Sequence, residues 1–238
     1  GRRPVDVALA GKRGLLLAVN VVLGNVSIVD LEKGRELRRV DAGYLPQRVV
    51  IGPKQKLALV ANQTPRGDAR DPRHSCSITV IDLVLRQALM DIRLPGGSNN
   101  LQGLAVSPDG RWAYAVHAIG RFPIPTDHLE RGWVTTNALS IIDLESRRHY
   151  ASVLLDRIGR GAADPHDIEL TDGGDTAWIT LSGTHELARV DLGRLVPAVT
   201  GDIDKSFLAG LQKSSIWREI ARRPARRNEL LNDLGALY

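Results

Sequence analysis

QGLAVSPDGRWAYAVH, residues 102–117, consists of two short apolar runs separated by SPDG. Ser, Pro, Asp and Gly supply the backbone angles of a tight reversal. The flanking runs are short, turn-bounded and rich in strand formers, which favours strands over a helix. The same pattern recurs without gaps at 5–20 (VDVALAGKRGLLLAVN), 47–62 (QRVVIGPKQKLALVAN) and 166–181 (HDIELTDGGDTAWITL). Each unit predicts a β-hairpin. A third strand follows each one: NVSIVDL ending at Leu31, SITVIDL at Leu83, ALSIIDL at Leu144 and ELARVDL at Leu192. A weaker fourth strand follows three of them, in RELRRV from Arg35, QALMDI from Gln87 and HYASVL from His149. Four antiparallel strands per unit, recurring every ~40–45 residues, are the signature of propeller blades. The fold class expected is therefore all-β, with about four blades over 1–200, alone or as part of a larger ring. No outer strand is evident for the fourth blade. From Asp204 onward the pattern becomes helical, with Ser206 and Ser214 as N-cap candidates and Ile216, Trp217 and Ile220 at helical spacing. Residues 201–238 are assigned as a helical tail or insertion.

Composition narrows the function classes. The 238 residues are 43% hydrophobic and 25% charged, enough for a real core. No apolar run approaches the ~20 residues that cross a bilayer. The basic start, GRRPVDVALAGKRG, is interrupted by Asp6 and does not read as a signal peptide as it stands. The net charge of +5 comes without aromatic residues interleaved among the basic ones, so a nucleic-acid partner is not expected. Arg218, Arg222, Arg223, Arg226 and Arg227 read as the solvated face of an amphipathic segment, or as a docking segment for an acidic partner. Cys76 stands alone, and neither CxxC nor CxxCH occurs. This chain therefore carries no covalent haem motif, and Cys76 reads as a small strand-opening residue rather than a nucleophile.

The candidate face follows from spacing. From the end of each hairpin to the aspartate of the third strand is 10 residues in the first unit (Asn20 to Asp30) and in the fourth (Leu181 to Asp191). It is 20 in the second (Asn62 to Asp82) and 26 in the third (His117 to Asp143). Units two and three thus carry insertions at one structural position. Antiparallel geometry puts those insertions on the rim where the inner strands begin. That rim collects Gln47, Gln102 and His166, with Asn20, Asn62 and His117 beside them. Long loops on a rigid scaffold are where binding usually resides.

These residues resemble the YVTN propeller repeat, whose hairpin carries SPDG, then Tyr-Val, and closes before a strand ending in IDL. Ser107, Pro108, Asp109, Gly110, Tyr114 and Val116 carry the likeness most fully. The first unit departs from it with GKRG in place of SPDG, and the fourth with TDGG and Leu181. The segment 117–137 is similar to the third-blade insertion of bacterial YVTN proteins linked to c-type cytochromes and di-haem peroxidases, through His117, Arg121, Pro125, Arg131, Gly132, Trp133 and Asn137. The resemblance implies an exported protein, periplasmic or extracellular, with a c-type cytochrome domain as partner. It also implies an alternative, because similar propellers include lactonases.

The ligand- or partner-binding candidates are accordingly Gln47, Asn62, Gln102, His117, Arg121, His128, Arg131, Trp133, Asn137 and His166. Arg and Trp are favoured interface anchors. Arg131 and Trp133 can equally pin the loop to its own blade. His117, His128 and His166, with His74 nearby, are the candidate metal ligands, but without HxH or HExxH no metal is assigned. Asp30, Asp82, Asp143 and Asp191 recur once per unit, and this repetition points to turn capping rather than catalysis. His166 and Asp167 are adjacent, and strict alternation would send them to opposite faces. The expected function is a non-catalytic binding module for a protein partner or ligand, without a cofactor of its own. The alternative is a lactonase-like hydrolase or a metal-dependent oxidoreductase at the channel mouth.

Overall fold

Each hairpin unit folds as read, and the reason lies in its turn. In SPDG, the Trp112 amide donates to Ser107 Oγ (2.9 Å) and the Arg111 amide to Asp109 Oδ1 (2.9 Å), while Gly110 takes φ +74°. The computed structural model describes residues 3–68, 71, 73–120, 135–156 and 161–201. Strands β1 (Pro4–Ala10), β2 (Leu15–Asn20), β3 (Asn25–Asp30) and β4 (Arg35–Asp41) form the first antiparallel sheet in that order. The second is built from β5 (Pro46–Ile51), β6 (Leu57–Asn62), β7 (Ser77–Asp82) and β8 (Gln87–Arg93). The third holds β9 (Ser98–Val106), β10 (Trp112–Gly120), β11 (Thr135–Asp143) and β12 (Arg148–Leu154). The fourth has three strands, β13 (Pro165–Leu170), β14 (Thr176–Leu181) and β15 (Glu186–Asp191), followed by α1 (Leu192–Thr200). These are all-β propeller blades, and the inner strands β1, β5, β9 and β13 are neighbours in that order.

The second strand of each blade shows why its sequence is continuously apolar. Successive side chains point to opposite faces. On β6, Ala58 and Val60 enter the core shared with the first blade, while Leu59 and Ala61 enter the core shared with the third. On β10, Ala113 and Ala115 face the second blade, and Tyr114 and Val116 face the fourth. The outer faces are different. Val7 and Leu9 on β1 are 58% and 61% exposed, as is Leu187 on β15 at 58%, and among the described residues no apolar cluster joins the first sheet to the fourth.

The recurring aspartates cap as expected. Asp30 Oδ1 accepts from the Glu32 and Lys33 amides, Asp82 Oδ1 from Val84 and Leu85, and Asp143 Oδ1 from Glu145 and Ser146. Asp191 instead N-caps α1 through the Arg194 amide (3.0 Å). The sequence reading did not foresee this helix, because Gly193 and Pro197 lower its propensity. Capping and the burial of Leu192, Leu195, Ala198 and Val199 outweigh that cost. The helical reading beyond Asp204 falls outside the described residues. Replacing Asp82 by Ala removes two charge-assisted bonds to turn amides. It should lower stability by about 1–2 kcal/mol, read as a lower urea midpoint with an unchanged slope.

Candidate binding face at the channel mouth

The inner strands enter the sheet irregularly, and this builds the site. Pairing shifts register between Pro4 and Asp6, between Pro46 and Arg48, and between Pro165 and Asp167, leaving one extra residue in each inner strand. Such a bulge breaks alternation and re-aims side chains. Just before it, Arg3, Leu45 and Asp164 take positive φ, between 49° and 54°, and in β9 Asn100 does so at 53° inside the irregular pairing between Asn99 and Gly103. Two polar tiers result.

The upper tier is a chain of amides crossing three blades. Gln47 Nε2 donates to Gln63 Oε1 (3.1 Å), and Gln63 Nε2 to Asn100 Oδ1 (3.1 Å). Gln102 Nε2 donates to the same Asn100 oxygen (3.0 Å), and Asn100 Nδ2 to Asp164 Oδ1 (2.7 Å). Ser182 Oγ then donates to Asp164 Oδ2 (2.7 Å). His166 lies beside this chain and is exposed.

The lower tier is charged. Arg48 reaches Asp167 Oδ2 with Nη2 at 2.5 Å and Asp6 Oδ1 with Nη1 at 4.0 Å, so one guanidinium ties the second blade to the first and fourth. Asp6 Oδ2 also accepts from the Val49 amide (2.8 Å). The third blade has Gly103 at the equivalent position. A Cβ there would lie 2.5 Å from Val116 Cγ2 and 2.9 Å from Asp167 Cα, so glycine is what lets β9 and β13 approach. Because of the bulge, the alternation argument does not hold for His166 and Asp167. Asp167 nonetheless pairs with Arg48 and with the Ile168 amide.

Three candidates from the sequence need correction. Asn62, His117 and Asn137 project into their blades rather than onto the rim. Asn62 is fully buried, donating from Nδ2 to Thr79 Oγ1 (2.9 Å) and Ser77 Oγ (3.2 Å) and accepting from the Gly43 amide (2.9 Å). Asn20 makes the same pin in the first blade, to Ser27 Oγ (2.9 Å). His117 occupies that position in the third blade and is also fully buried. Its Nδ1 faces the Ala118 carbonyl (3.1 Å), which can only accept, so Nδ1 carries the proton and Nε2 accepts from Ser140 Oγ (2.7 Å). Ser140 must then accept from Ser152 (2.6 Å), whose Oγ lies 2.8 Å from His149 Nε2. Asn137 donates from its amide (2.6 Å) and Nδ2 (3.2 Å) to Asp156. The polar partners Ser27, Thr79 and Ser140 each stand three residues before the capping aspartate, a spacing that marks this pin in the sequence.

Arg121, His128, Arg131 and Trp133 lie outside the described residues. The second insertion borders a cleft of about 330 Å³ lined by Tyr44, Arg66, His74, Ser75 and Arg93. Among the described residues no group of three His, Cys, Asp or Glu side chains converges as a metal site. Burial pushes the Cys76 thiol well above its usual pKa, which removes it as a nucleophile.

Antiparallel blades set around a polar axis define this chain as a β-propeller module. It is 22% identical over 175 residues to hydrazine synthase subunit beta of Kuenenia stuttgartiensis, a match covering 73% of this chain and 44% of that protein, so the chain spans less than half the relative's length. Its fold matches a solved chain of Kuenenia stuttgartiensis hydrazine synthase with a TM-score of 0.61 at 19% identity, over 96% of this chain and 71% of the other. No family model matches the sequence.

Burial lowers the pKa of both His117 and His149 to about 4, from an ordinary 6.5. The unfolded chain therefore binds more protons than the folded one between those values, and stability should fall as pH drops from 6.5 toward 4. His117→Asn, which installs the residue used in the first two blades, should flatten that dependence in urea titrations across this range. Gly103→Ala should cost about 1–3 kcal/mol through overpacking against Val116 and the β13 backbone, seen as a lower melting temperature.

Proposed function

We propose that this chain is a non-catalytic, YVTN-like propeller module that captures a protein partner on the rim carrying the two insertions. The partner is a c-type cytochrome-bearing chain in an extracytoplasmic redox assembly. The single observation that carries this reading is the fixed polar platform at the channel mouth. Gln47, Gln63, Asn100, Gln102 and Asp164 are held by one another across three blades, which suits recognition by a pre-organised surface. Two further points support it. The chain is similar to a named subunit of a multi-subunit enzyme, and the segment 117–137 resembles insertions of cytochrome-linked propellers. The enzymatic reading loses one of its groups, because both ring nitrogens of His117 are engaged inside the third blade.

The test is capture of soluble c-type cytochromes by the immobilised chain, followed by surface plasmon resonance. Arg131→Ala and Trp133→Ala should each weaken capture by roughly tenfold or more while leaving the thermal transition unchanged. Lactone hydrolysis that disappears in His166→Ala, with no cytochrome capture by the parent chain, would replace this reading with the enzymatic one.

A further inference from the structure

The rim opposite the amide platform carries the hairpin turns, and it repeats one seam three times between successive blades. The three copies are not chemically alike. Between the first and second blades the seam is tied shut, with the Lys12 amide donating to Gln55 Oε1 (2.9 Å) and Arg13 Nε to the Gln55 carbonyl. Between the third and fourth, Trp112 and Tyr114 fill the wall, α1 lies alongside, and Asp109 and Asp175 supply negative charge. Between the second and third there is a cleft of about 260 Å³. Leu57 and Leu59 stand there where the next seam has Trp112 and Tyr114, and Lys54 stands in place of Asp109.

This middle cleft has an apolar floor of Leu57, Val106 and Leu144, ringed by the exposed cations Lys54, Lys56 and Arg147. None of the three cations forms an ion pair among the described residues. The one acid in the lining, Asp82, already receives the Val84 and Leu85 amides on Oδ1. The neighbouring seam carries acids on the same scaffold, so nothing in the fold demands cations here. Unpaired cations around an apolar cleft are complementary to a ligand with the opposite charge and an apolar body.

We propose that this seam binds a small amphiphilic anion, with its acid group held by Lys54, Lys56 and Arg147 and its chain lying on Leu57, Val106 and Leu144. The site is independent of partner capture on the opposite rim. The probe is sodium octanoate, titrated calorimetrically into the whole chain beside hexanoate, butyrate, neutral octanol and octylammonium. Saturable one-site binding is expected for octanoate, with affinity rising roughly threefold to fourfold per methylene and no saturable binding of octylammonium. Lys56→Glu combined with Arg147→Glu should weaken octanoate binding by roughly tenfold or more, whereas Lys33→Glu, on the first blade's turn, should leave it unchanged. Circular dichroism of each variant separates loss of the site from loss of the fold. Octanol binding as tightly as octanoate, indifference to the double reversal in a folded variant, or no saturable octanoate binding at all would overturn the proposal.

Discussion

A sheet that is apolar on both faces is stable only when sandwiched, and that constraint orders this molecule. The second strands β6 and β10 deliver alternate residues to two different cores, so the second and third blades are each stabilised by the blades on either side. The radial arrangement needs no long-range strand pairing. Every hydrogen-bonded ladder joins strands adjacent in sequence, and the apolar contacts between blades are made by side chains across the seams. The two rims are where the described inner blades leave side chains free of that packing.

The blades were legible because they repeat. Four aligned copies of a hairpin outweigh the ambiguity of any one apolar run, and the capping aspartates could be assigned from recurrence alone. The helix α1 was illegible for the opposite reason. It occurs once, contains Gly193 and Pro197, and depends on a core shared with β14, β15 and the third blade. Local propensity carries no trace of that support.

The rim on which the candidates gather was legible in the sequence, and their orientation less so. Gln47 and Gln102 do join the amide chain at the mouth. Asn62 and His117 close the aligned hairpin segments and so point to the same rim in the sequence, yet they turn inward to meet Thr79 and Ser140. Polar side chains at strand ends are ambiguous in sequence, since a buried pin and an exposed contact use the same residue types. The charged tier was missed for want of one comparison. Asp6, Arg48, Gly103 and Asp167 hold the same place in the four aligned segments, and reading down that column shows one cation, two acids that it reaches, and a glycine where no side chain fits. Strict alternation concealed this column's relation to its neighbour, because the register is broken just there.

That break also governs how the chain tolerates length changes. The extra residue in β5 is what gives Gln47 and Arg48 separate tasks at one opening. Deleting a single residue there would restore regular pairing and rotate the entering segment by half a pleat. One of the two polar groups would then be driven into the aliphatic seam. Insertions between the second and third strands lengthen the second and third blades without interrupting the four-stranded order of either sheet. The entry to an inner strand has no such latitude, so the same rim is permissive to growth at its periphery and rigid in residue count at its centre.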